Sequence, residues 1–200
     1  MGIKICLAIV TNRQVKSQTV LSLANMLTQT NHEVYTVIAT EGYTIAENRS
    51  YCLNRALREK CTHLLFIDDD MTFPPDTIEK LLSVEKPIVG VNSYSRKLPL
   101  TTTIGRLHPN GSYISPEDAT PMPESPFECY SIGFGIALID LEVIKRMKPP
   151  YFSFKAHPSG FTEEGEDGYF CRKARELGIE VWADPRIEVG HIGEFIYKKE

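Results

Sequence analysis

Through the first half of the chain, short β-prone runs alternate with stretches whose apolar residues recur at helical spacing. That alternation leaves few ways to fold. Ile3–Val10, Glu33–Thr40, His63–Asp68 and Ile88–Val91 read as strands. Between the first two, Ser17–Leu27 carries Val20, Ala24 and Leu27 at i, i+4 and i+7, a stripe expected to lie against a sheet. Thr44–Glu59 turns Leu53, Ala56 and Leu57 inward and leaves Arg49, Asn54 and Arg58 to project elsewhere. Pro74-Pro75-Asp76 starts a further helix through Leu82, since proline is tolerated in a first turn. Strands joined by helical crossovers run parallel, so the expected class is α/β, with a mostly parallel sheet covered by helices.

Beyond Ser95 the pattern changes. His108–Phe127 is proline-rich with few apolar residues and reads as a long loop or loose hairpin. Cys129–Ile139 is apolar again, interrupted by Gly133 and Gly135, and is expected to be one strand whose backbone something approaches closely. Asp140–Met147 is a short helix capped by Asp140, Pro149–Gly165 a second loop, and Glu166–Leu177 a helix that Gly178 terminates. Val181–Ala183 and Ile187–Val189 are late strands. No repeat or linker divides the 200 residues, which are expected to form a single domain, residues 1–95 as one half and 96–200 as the other.

The charge balance is −4, with no long basic run, so the electrostatic footprint of a nucleic-acid binder is missing. A phosphate-bearing ligand would need a local device. The longest early apolar run is too short for a membrane span or signal core, and the expectation is a cytoplasmic protein with no integral membrane segment. The five cysteines are scattered, without a C-x-x-C pair, and read as reduced core thiols.

The segment richest in chemistry is His63-Leu64-Leu65-Phe66-Ile67-Asp68-Asp69-Asp70-Met71. A buried strand ends in three consecutive carboxylates, at the strand end where ligands bind in open α/β sheets. Three adjacent acids repel one another unless a cation compensates them, whereas capping the following helix would need only one. Strand alternation puts Asp68 and Asp70 on one side, able to grip a divalent ion through hard oxygens, with Asp69 turned away.

An apolar strand ending in D-x-D resembles the metal and nucleotide-sugar signature of GT-A fold glycosyltransferases, the inverting family 2 group in particular. The resemblance implies a three-layer α/β/α sandwich with a mostly parallel, mixed central sheet. It further implies transfer of a sugar from a nucleoside diphosphate donor to a hydroxyl acceptor on a glycan, lipid or protein, with inversion. Five further segments fit it. Thr11-Asn12-Arg13 ends the first strand where such enzymes cup the nucleotide base, so Thr11 and Arg13 are nucleotide-binding candidates. Ala46-Glu47-Asn48-Arg49 is similar to the family's A-R-N segment with the last two residues reversed, which adds Asn48 and Arg49; Asp68 and Asp69 complete that set.

Thr162–Phe170 looks like the family's E-D motif at a helix start, where a carboxylate is the general base on the acceptor hydroxyl. Asp167 is the candidate base, Glu166 its fallback, and Glu164 a donor- or acceptor-binding residue. A nucleophilic alcohol must lose its proton as it attacks, and a carboxylate shielded from water is tuned toward that task. In Val189-Gly190-His191-Ile192-Gly193 a histidine stands between glycines, and the resemblance makes His191 the third metal ligand beside Asp68 and Asp70. Two carboxylates and an imidazole suit Mn2+, or Mg2+. Ser131–Gly135 resembles the family's glycine-containing strand bordering donor and acceptor, which nominates Gly133 and Gly135. Trp182 reads as core.

The competing readings are a metal-dependent nucleotidyltransferase and a non-catalytic nucleotide-sugar or glycan-binding module. The first normally carries a Gly-rich basic loop after strand one, and Thr11–Gln18 has no glycine. A receiver-type acidic site would want acids near the first strand, and Ile3–Thr11 has none.

Overall fold

The computed structural model describes residues 2–11, 14–39, 44–96, 98–108, 110, 113–115 and 121–193. The order is β1 (Lys4–Val10), α1 (Ser17–Gln29), β2 (Glu33–Ala39), α2 (Ile45–Arg58), β3 (His63–Asp68), β4 (Met71–Thr72), α3 (Thr77–Ser83) and β5 (Ile88–Val91). Then follow β6 (Arg106–Leu107), β7 (Tyr113–Ile114), β8 (Phe127–Cys129), β9 (Ile136–Asp140), α4 (Glu142–Arg146), β10 (Lys155–Ala156), β11 (Thr162–Glu164), α5 (Glu166–Glu176), β12 (Val181–Asp184) and β13 (Gly190–His191).

Seven strands form the central sheet in the order β2-β1-β3-β9-β5-β12-β8. The pairs β2–β1, β1–β3 and β5–β12 are parallel, while β9 runs antiparallel between β3 and β5, and β8 antiparallel on the edge. The sheet is therefore mixed, with β2, β1, β3, β5 and β12 pointing one way and only β9 and β8 the other. A core lies on each face. One packs Cys52, Leu53 and Ala56 of α2, Val143 and Ile144 of α4, and Phe170 and Ala174 of α5 against Cys6, Ala8, Leu64 and Phe66. The other packs Leu23 and Met26 of α1 and Ile78 and Leu81 of α3 against Ile5, Leu7, Leu65 and Ile67. Alternate residues of β1 and β3 thus serve opposite layers, the three-layer α/β/α arrangement.

Four expectations change. The stripe Val20, Ala24, Leu27 faces solvent, with Val20 51% exposed, and α1 instead buries Thr19, Ser22, Leu23 and Met26. The polar pair is held by specific bonds: Thr19 Oγ1 donates to the Asp69 carbonyl (3.1 Å), and Ser22 Oγ accepts from the Phe73 amide (3.2 Å). In α2, Leu57 is exposed and Arg49 is buried.

The run Cys129–Ile139 is two strands at different places in the sheet, β8 at the edge and β9 in the middle, with the glycine segment crossing between them. A Cβ on Gly133 would stand 2.9 Å from Thr103 Cβ, so that crossing is closely overlain. Finally, the late strand is Gly190–His191, paired with β4, and not Ile187–Val189. Gly178 closes α5 as expected, at φ +69°. The five cysteines are free and buried. Trp182 packs at the margin of the α1–α3 core. No helix among the described residues is long and apolar enough to cross a membrane.

Candidate functional site

The parallel strands β1 and β3 end side by side, with Val10 opposite Asp68. Beyond them opens a cleft of about 440 Å3 lined by Val10, Thr11, Ile45, Asn48, Asp68, Asp69, Asp70, Arg96 and His191. Residues separated by most of the chain meet here. Of the candidates, Thr11, Asn48, Asp68, Asp69, Asp70 and His191 lie in this cleft; Arg13 falls outside the described residues.

Helix α2 supplies the wall. Its start is fixed by a capping box: Thr44 Oγ1 accepts from the Glu47 amide, and the Glu47 carboxylate accepts from the Thr44 amide. The next residue, Asn48, is 5% exposed, and its Oδ1 has no hydrogen-bond partner. A buried amide oxygen without a donor costs stability, so this atom marks where a ligand donor would be accommodated.

Arg49 lies beneath the cleft, 2% exposed. Nε donates to Glu166 Oε1 (3.0 Å), Nη2 to Asp68 Oδ1 (3.2 Å) and Nη1 to the Phe134 carbonyl (3.3 Å), while the guanidinium stacks over the rings of Phe66 and Phe134. Burial opposes its charge, yet the carboxylates of Asp68 and Glu166 outweigh that and raise its pKa. Arg49 therefore works as a brace between β3 and α5. The same burial pushes Asp68 up to about 6, with Arg49 pulling down and Asp70 adding to the rise. Glu166, buried, is the far anchor of this brace, its Oε1 accepting from Arg49 Nε.

Asp70 follows the β3 turn and is buried. Its Oδ2 lies 2.8 Å from Arg96 Nη1 and its Oδ1 3.4 Å from His191 Nε2. The short β4–β13 ladder sets this meeting, pairing His191 with Met71, and the Ile192 amide donates to the Asp70 carbonyl. His191 Nδ1 lies 2.8 Å from the Tyr94 carbonyl, which can only accept, so Nδ1 carries the hydrogen. In the neutral ring Nε2 then presents a lone pair to a carboxylate oxygen. Two acceptors at that separation call for a proton or a cation between them. A histidine that gives its other N–H to a carbonyl is also the usual arrangement of a metal ligand.

The donor chemistry of Asp70, His191 and neighbouring Asp68 thus fits a hard divalent ion, although among the described residues no three acidic, His or Cys side chains are already arrayed as a cage.

Asp167 stands at the start of α5 beside this brace. Its pKa is raised by burial and by the Glu166 charge, against the hydrogen bond that Oδ1 accepts from the Gly168 amide at 2.7 Å. Glu164 faces elsewhere: both oxygens accept from Arg172 Nε (3.0 and 3.1 Å) in a second cleft of about 510 Å3, shared with Tyr113, Tyr130 and Ser131. Gly133 lies under Thr103, and Gly135 borders Asp68, where a Cβ would sit 3.7 Å from Oδ2. Sequence reasoning passed over Arg96. A lone arginine in a polar stretch carries no pattern, and only the return of the chain beside Asp70 singles it out.

No protein-family model and no curated protein sequence matches this chain. Solved structures do share its shape. A197 from STIV superposes with a TM-score of 0.65 over 96% of this chain and 87% of that chain, at 19% sequence identity. GalNAc-T7, in its structure with UDP, GalNAc and Mn2+, superposes with a TM-score of 0.55 over 96% of this chain and 44% of that chain, at 12% identity. At such identities the likeness speaks for architecture alone: this chain has the mixed α/β fold of the GT-A type, the architecture that GalNAc-T7 carries on less than half of its length.

Proposed function

We propose that this protein is a metal-dependent glycosyltransferase that moves a sugar from a nucleoside diphosphate donor to a hydroxyl acceptor with inversion. One observation carries the reading: Asp70 and His191 meet in a cleft, beyond the ends of β1 and β3, that also holds Asp68, Asp69, Thr11 and the unpartnered Oδ1 of Asn48. The structure of GalNAc-T7 with UDP, GalNAc and Mn2+ shows that a protein of this fold accommodates those ligands.

Asp70, His191 and Asp68 would hold the ion, Mn2+ or Mg2+. Bound there, it supplies Lewis-acid stabilisation of the departing diphosphate. The protein's own contributions are distinct. Asn48 and Thr11 bind the nucleoside, Asp69 assists them, and the Arg49 brace holds Asp68 and the start of α5 at a set separation. Asp167 takes the acceptor proton as the acceptor oxygen attacks the anomeric carbon, and its raised pKa suits it to that role. The second cleft, with its tyrosine pair and Glu164, adjoins the start of α5, and we assign the acceptor to it.

The test is calorimetry with ADP, GDP, CDP and UDP, with and without Mn2+, followed by product analysis with the matching nucleotide sugar. Metal-dependent binding and release of a nucleoside diphosphate are expected. In a parallel assay with a nucleoside triphosphate and a sugar phosphate, release of pyrophosphate would assign a nucleotidyltransferase, and binding without turnover in either assay a recognition module. Asp167→Asn should keep donor binding and lose transfer by 100-fold or more.

A further inference from the structure

Arg96 has no place in the reading above, yet it sits in the same cleft as the carboxylates. It belongs to an excursion that leaves β5 and returns toward β6, stapled at its base. The Thr103 amide donates to the Ser93 carbonyl (2.9 Å), the Ser95 amide donates to the Thr101 carbonyl (2.8 Å), and the Ser95 and Thr101 hydroxyls meet at 2.6 Å. Arg96 is the first residue past the last of these pairings. The base is fixed further by His191, whose Nδ1 donates to the Tyr94 carbonyl. The arginine side chain is 54% exposed, and its ion pair is with Asp70 Oδ2 at 2.8 Å.

Asp70 offers two oxygens, and His191 faces the other. A divalent ion held between Oδ1 and His191 would stand beside the guanidinium on Oδ2, and the repulsion between the two positive charges weakens the arginine's hold on the same carboxylate. A displaced Arg96 would remain in the cleft, since Ser95 before it is tied to Thr101, and its planar fork matches phosphate oxygens.

Resting on the glycosyltransferase reading, we propose that Arg96 is a counter-ion that changes partners: it competes with a divalent ion for Asp70 and, once released, binds the diphosphate of the donor. Metal and nucleotide then bind cooperatively, because each favours the arginine position that the other needs. The partner change also keeps Asp70 neutralised at every stage, so the acidic turn is never left with uncompensated charge.

Mn2+ titration of the full chain and of Arg96→Gln, followed by titration of each Mn2+-loaded protein with ADP, GDP, CDP and UDP, tests this. The exposed position makes the substitution benign for folding, which circular dichroism verifies. In R96Q, Mn2+ alone should bind about three-fold tighter, since the competing ion pair is an exposed one of modest strength. Nucleoside diphosphate should bind ten-fold or more weakly, since a charge-assisted contact is lost. The gain in Mn2+ affinity should shrink in 0.5 M NaCl, because an exposed ion pair is screened by salt.

Unchanged affinities, or shifts of the same sign for both ligands, would each overturn the partner change. Absence of any Mn2+ or nucleotide binding by the unaltered protein would instead overturn the glycosyltransferase reading, and this inference with it.

Discussion

Arg49 shows how a single residue can be placed by partners distant in sequence. A helix-surface arginine is ordinarily solvated; this one lies under the cleft because Asp68, nineteen residues on, and Glu166, 117 residues on, both meet it. Removing one member of such a buried set leaves the others charged and unpaired. Arg49→Met should therefore cost about 3–5 kcal/mol, read from urea unfolding, whereas the same change at exposed Arg58 should register within about 0.5 kcal/mol.

Asp167 yields a prediction of opposite sign for stability and activity. Its folded pKa is raised, so the folded state holds the proton more tightly than the unfolded chain. The protonated group's contribution is complete below the unfolded value, about 3.9, and becomes a cost as pH rises through the folded value. Asp167→Asn never ionises. It should melt higher than the parent at pH 7, with the gap closing as pH falls through the folded value and gone below about 3.9. With Asp167 as the base proposed above, transfer should rise with pH over the same window in the parent and show no such limb in the variant.

At the scale of elements, α1 and the Cys129–Ile139 run show where periodicity misleads. Val20, Ala24 and Leu27 form a sound apolar stripe, but the adjacent face carries Leu23 and Met26 together with Thr19 and Ser22, whose hydroxyls bond to the turn at Asp69 and to Phe73. That turn exists only because β3 and β4 stand beside the helix, so the polar pair could not be recognised as inward-facing from α1 alone. Val20→Ser should shift stability by no more than about 0.5 kcal/mol. Met26→Ala should cost about 2–5 kcal/mol. Comparable losses for both would mean that α1 presents the stripe to the sheet after all.

In the second case an apolar run interrupted only by Gly133 and Gly135 reads as one strand. The glycine segment uses its missing side chains to cross beneath Thr103 and alongside Asp68, so the chain enters the sheet twice. The capping box of α2 was no more than a threonine followed by a glutamate in the sequence, but it sets the pitch at which Asn48 and Arg49 are delivered. Thr44→Ala should lower stability by about 1 kcal/mol and weaken nucleotide binding with it, the two readouts moving together.

Taken whole, the molecule places its acidic turn and its late histidine together by a ladder of two residue pairs, β4 with β13. If a divalent ion binds there, folding and metal binding are linked. Saturation at 100 times the dissociation constant should add about 2.7 kcal/mol to stability. Mn2+ should accordingly raise the melting temperature of the parent and leave that of Asp70→Asn unmoved, with Ca2+ and EDTA as controls. An equal rise in the variant would remove Asp70 from the ion's coordination.

The amino-acid order alone determined the α/β class, the strands β1, β3 and β5, and the acidic turn at the end of β3. These are local matters: apolar runs, helical spacing and a strand end are written within a dozen neighbouring residues, and burial acts on them directly. Tertiary structure decided the rest. It separated β8 from β9, turned the α1 stripe to solvent, buried Arg49 between two carboxylates and brought Arg96 and His191 to Asp70. Each depends on contacts between segments remote along the chain, whose energies exist only once the sheet has set their distances.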